Sequence, residues 1–97
     1  MEDIKLKIRT MTIPQLKALR LLADSPNGIA SYKEISTTTE TSSYALGAII
    51  TSLKKYKTEN GSLILPAGRD SEGMRWQLNE KVILRDDLKI LLNEIGI

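Results

Sequence analysis

From Ser36 to Ser43 seven of eight residues are Ser or Thr, and only Glu40 interrupts them. Hydroxyl side chains this close to the backbone compete for its hydrogen bonds, so the run reads as a turn followed by a helix cap. Upstream, Ser31 and Glu34 have the spacing of a capping box and open a short helix, Ser31–Ile35, that buries Ile35 and Tyr32. Two helices joined through a tight Thr37–Ser42 turn are what this segment is built to make.

The helix that follows, over about 42–57, has the clearest period in the chain. At 100° per residue Leu46, Ile49, Ile50 and Leu53 fall within about 60° of one another. The opposite face carries Tyr44, Ala48, Thr51 and Lys55, with Gly47 at its edge. Tyr44 therefore has no structural reason to be where it is. The face is flat and uncharged at its start and basic at its end, through Lys54, Lys55 and Lys57. No acid occurs between Glu40 and Glu59. A helix dipole alone favours lysines near a C-terminus, and a mid-helix glycine at ~1 kcal/mol relative to alanine fits close packing as well as ligand approach.

Thr12 and Gln15 form a second capping box, with Pro14 in the first turn, and predict a helix over about 13–24. Asp24-Ser25-Pro26-Asn27-Gly28 ends it, and Ile29-Ala30 is long enough only for an isolated bridge. Residues 4–9 alternate Ile, Leu and Ile with cations, which predicts a half-buried strand, with a short lead-in helix as the competing reading. Leu63-Ile64-Leu65, stopped by Pro66, pairs with the alternating Met74–Leu78 run as a hairpin whose loop is about seven residues. Its tip is Gly68–Gly73, with Met74, Trp76 and Leu78 inward and Arg75 and Gln77 outward. Asn79–Ile97 reads as a last helix with a main stripe of Leu84, Leu88, Leu91, Leu92 and Ile95. Ile83, Ile90 and Ile97 form a second stripe, whose seven-residue spacing suits a helix–helix seam and predicts a homodimer.

The chain's 97 residues suffice for one domain, and with no Phe, one Trp and three Tyr its core must be aliphatic. There is neither Cys nor His. That removes disulfides, thiol nucleophiles, imidazole bases and the usual transition-metal ligands. No enzyme, metal, cofactor or small-molecule site is expected: Asp86, Asp87 and Glu94 read as a solvated face, and Gly68 and Gly73 flank acids that would repel phosphate. A net charge of +2 is too small to name a polyanion partner, yet residues 42–57 hold three lysines and no acid. No apolar run approaches a membrane span and Met1-Glu2-Asp3 opens no secretory signal, so a cytoplasmic protein is expected.

The order helix, bridge, helix, Ser/Thr turn, amphipathic helix, hairpin, helix resembles the winged helix-turn-helix superfamily over residues 12–80. The resemblance implies a mainly α fold with a small β-hairpin (α+β) in a single domain 1–97. Residues 12–80 would form the helix-turn-helix core and wing, and residues 81–97 an additional C-terminal helix for dimerisation. It further implies sequence-specific binding of double-stranded DNA by a small transcriptional regulator, with helix 42–57 in the major groove and the 66–73 wing on the backbone or minor groove. On that basis Ser42 and Ser43 present hydroxyls and amides to a phosphate, and Tyr44, Gly47, Ala48 and Thr51 face base edges. Lys54, Lys55, Arg69 and Arg75 meet phosphates. The alternative is a winged-helix module for protein–protein interaction in a larger complex. Ala67 and Gly68 stand where the faintly similar alkylguanine-DNA alkyltransferases carry the Cys-His of their active site, so alkyl transfer is excluded.

Overall fold

Residues 4–97 are described by a computed structural model. The first element departs from the expected strand. Ile4–Arg9 is a helix, α1, that buries Ile4 and Ile8 and leaves Leu6 62% exposed. Two apolar residues four apart are one helical stripe, and Leu, Lys and Arg are good helix formers, so the alternation misleads over six residues. A salt bridge of 2.7 Å from Arg9 to Glu94 ties α1 to the last helix.

Helix α2, Ile13–Asp24, starts on the expected capping box, with Thr12 and Gln15 each accepting from the other's backbone amide. Gln15 is itself buried, and its Nε2 donates to Ser52 Oγ at 2.7 Å. The cap therefore also fixes a second helix. Leu16, Ala18, Leu19, Leu22 and Ala23 fill the core side of α2. Asn27 turns left-handed in the 3-10 turn Pro26–Gly28, and Gly28 follows at φ 70°. A Cβ on Gly28 would sit 3.5 Å from Leu78 and Arg85 side-chain carbons, in a backbone conformation that favours glycine.

Strand β1, Ile29–Ser31, runs into α3, Tyr32–Thr39, and α4 spans Ser43–Lys54. The expected turn at 37–42 is shorter in fact, because α3 continues through Thr39 and only residues 40–42 lie outside helices. Helix α4 likewise stops at Lys54, so Lys57 lies not on the helix but in β2, Lys57–Thr58. That strand pairs with β3, Gly61–Ser62, in a two-stranded ribbon. The cause is downstream: buried Asn79 donates through Nδ2 to the carbonyls of Asn60 and Ser62.

Strands β4, Ile64–Asp70, and β5, Gly73–Leu78, form the expected hairpin, but with a two-residue turn instead of a loop of about seven. Between Pro66 and Arg69 the register slips, and this bulge absorbs the extra residue and lets pairing run on to Asp70 and Gly73. Asp70 closes the turn by accepting from the Glu72 amide at 2.8 Å. Strand β1 pairs antiparallel with the other edge of β5, giving the order β1-β5-β4.

The last helix, α5, spans Arg85–Ile95 and so begins at Arg85 rather than Asn79. Asn79 is committed to the ribbon, its Oδ1 also accepts from the Lys81 amide, and Glu80 accepts from the Arg85 amide. Leu88, Leu91 and Leu92 are buried, whereas Leu84, placed at the cap, is 57% exposed. The Ile83/Ile90/Ile97 seam is not a surface: Ile83 is buried ahead of the helix, Ile97 is half-buried against the core, and Ile90 alone is open at 58%. An αL Gly96 breaks the helical line before Ile97.

The fold is thus a compact α+β arrangement with, among the described residues, five α-helices and a small antiparallel sheet. Buried side chains from Ile4 to Leu92 make one aliphatic cluster, to which Trp76 is the buried aromatic contribution. Truncating any of its fully buried leucines should cost about 2–5 kcal/mol. No helix among the described residues is long and apolar enough to cross a membrane.

Candidate nucleic-acid interface

The Ser/Thr run is spent on positioning α4. Glu40 adopts a left-handed conformation at the end of α3, and its amide donates to Thr37 O while that of Thr41 donates to Ser36 O. Ser36 Oγ donates to Thr41 O at 2.8 Å, and Thr39 Oγ1 donates to Ile35 O and lies 2.7 Å from Thr41 Oγ1. Ser42 then caps α4 by accepting from the Ala45 amide. These hydroxyls set the angle between the two helices. Ser43, whose side chain falls outside the described residues, opens the helix.

The inner face of α4 buries Leu46, Ile50 and Leu53, and Ile49 packs half-buried beside them. The Gln15–Ser52 bond holds this face against α2. On the outside, Tyr44, Ala48, Thr51 and Lys55 succeed one another at helical spacing, all exposed, with Tyr44 at 93%. Gly47 is half-buried, and a Cβ there would meet only the Tyr32 hydroxyl, at 3.8 Å. Packing therefore does not require glycine at this position.

The hairpin divides the expected cations between its two faces. Arg69 pairs across the ladder with Met74, so it shares the face of Met74 and Trp76. Lys54 Nζ lies 5.3 Å from the centroid of the Trp76 ring, a cation–π contact that joins the end of α4 to this same face. Lys54, Lys55 and Arg69 are all exposed and make no ion pair among the described residues. Arg75 belongs to the other face. It is half-buried, its Nη2 donates to Ala67 O at 3.3 Å, and its Nε lies 3.9 Å from Asp70 Oδ2. Arg75 therefore does not join the expected basic set, because alternation along β5 turns it away and its own hairpin holds it.

The same division disposes of the hairpin's acids. Asp70 faces Arg75, and Glu72 reaches Lys33 Nζ at 4.0 Å. Gly73, at φ 101°, brings the turn beside Tyr32 at the start of α3. The outer face of α4 itself carries one open tyrosine, short side chains and, at its end, lysines. The Lys54–Trp76 contact and the Asn79 staple had no sequence motif to announce them; both depend on long-range placement. Among the described residues no group of three or more acids gathers to hold a metal ion. Comparison with protein-family models, with curated proteins and with solved structures returns no match to this chain.

Proposed function

We propose that the chain is a winged helix-turn-helix protein that binds double-stranded DNA and serves as a small transcriptional regulator. The succession α2, β1, α3, α4, β4, β5, with β1 added to the edge of the hairpin, supports that architecture. In this reading α4 enters the major groove and the hairpin is the wing. The observation that carries it is the outer face of α4: an aromatic 93% exposed in the first turn, short residues in the middle and lysines at the end, on a helix whose opposite face is core. A helix can enter a groove about 12 Å wide only if one of its faces has no other duty and low relief. Arg69, on the hairpin face that Lys54 adjoins, supplies the backbone contact beside it.

Titration of a labelled random-sequence duplex tests this. Non-specific binding of this kind has Kd of about 10⁻⁴–10⁻⁶ M at physiological salt, so it should be measurable at 50 mM. If Lys55, Arg69 and one further cation each neutralise a phosphate, the log–log salt slope is about −2.7, and affinity falls about 40-fold between 50 and 200 mM. No binding to any duplex at 50 mM would overturn the proposal. A second reading, an interaction module, is favoured by the cleft of about 520 Å³ among Ile13, Lys17, Arg20, Thr38, Gly96 and Ile97, where Ile13 is 55% exposed. Failure of the duplex titration would favour that reading. Should two copies assemble on a palindromic site, the contact must avoid Ile83, which the core consumes.

A further inference from the structure

We infer that the preferred DNA is recognised through thymine methyl groups, with Ala48 and Thr51 as the specificity-determining residues; this rests on the DNA reading proposed above. Its basis is the chemistry missing from the reading face. From Thr41 to Lys57 the chain has no Arg, Asn, Gln, Asp or Glu. Those residues, with Lys, supply the hydrogen-bond pairings that single out guanine, adenine and cytosine in the major groove.

The lysines do not fill the gap. Lys54 extends over Trp76, and Lys55 follows the last helical residue, whereas base edges are met by the N-terminal part of a recognition helix. Along that part the exposed groups, among the described residues, are the Tyr44 phenol, the Ala48 methyl and the Thr51 hydroxyl and methyl. A lone hydroxyl donates or accepts and so discriminates weakly. A methyl group has a single apolar counterpart on the major-groove edge, the C5-methyl of thymine. Ala48 and Thr51 stand three apart on one helix face, about 5–6 Å between Cβ atoms, a separation suited to adjacent base steps. Gly47 beside Ala48 adds no side chain to that edge of the helix.

The test begins with duplexes enriched by the full chain from a random pool. Each dT of the selected site is then replaced singly by dU, which deletes the methyl and keeps the pairing. At one or two positions dU should weaken binding about three- to fivefold, the value of one buried methyl. Thr51→Ser, which keeps the hydroxyl, should abolish the dU effect at one of them while the dU effect at the other persists. Ala48→Gly, with helicity checked by circular dichroism, should do the same at the other. Indifference to dU at every thymine, or a selected site without thymine, overturns the inference while DNA binding stands. Absence of binding to any duplex at low salt overturns both.

Discussion

At Gly47 the local geometry and the helix propensity point the same way. An added Cβ would make only an ordinary contact with the Tyr32 hydroxyl, so Gly47→Ala should stabilise the fold by about 0.5–1 kcal/mol and raise Tm by several degrees. The same methyl would stand off the backbone beside Ala48, and affinity for the selected duplex should fall. A variant that is both more stable and equally tight would show that the glycine has no part in binding. Tyr44 makes the complementary case. Being 93% exposed, it can be changed to alanine with stability constant within about 0.5 kcal/mol, while preference among duplexes relaxes. Calorimetry on the free protein and competition between selected and random duplexes read the two effects separately.

At the level of elements, what was legible depended on whether the information was local. Both capping boxes were visible because a cap and its N3 partner are three residues apart, and α2 and α3 begin where those boxes place them. The inner face of α4 was visible because twelve residues give more than three turns of period. Residues 4–9 mislead because six residues satisfy both periods, and burial of Ile4 and Ile8 in the core decides between them. The start of α5 is hidden for a related reason. Asn79 belongs to the loop at 60–62, a partnership across 17–19 residues that no local pattern encodes. Of the candidate site, the α4 residues emerged from periodicity, but the assignment of Arg69 and Arg75 to opposite hairpin faces required the bulge at 67–68. Removing the staple should be costly. Asn79→Ala strands two carbonyls and the Lys81 amide, and should lower the unfolding free energy by about 2 kcal/mol, seen as a lower urea midpoint at unchanged m. A shift under about 0.5 kcal/mol would mean that the ribbon holds itself.

Over the whole molecule, one aliphatic core uses up most of the apolar surface that the last helix offers. Ile83 and Ile90 look equivalent as members of a seven-residue repeat, yet one is 5% and the other 58% exposed. Ile83→Ala should cost about 2–5 kcal/mol and Ile90→Ala less than about 0.5 kcal/mol by urea unfolding. Equal effects would restore the repeat as a unit. The net charge of +2 is likewise not spread evenly. Asp70 and Glu72 are drawn toward Arg75 and Lys33, whereas Lys54 and Lys55 close α4 and Arg69 lies on the hairpin face that Lys54 adjoins. The most direct measurement is therefore the salt dependence of duplex binding for Arg69→Ala and Arg75→Ala beside the unaltered chain. Arg69→Ala should flatten the log–log slope by about 0.9, the loss of one phosphate contact, and Arg75→Ala should leave it unchanged. A flatter slope in Arg75→Ala with none in Arg69→Ala would put the DNA on the opposite face of the hairpin and contradict the account.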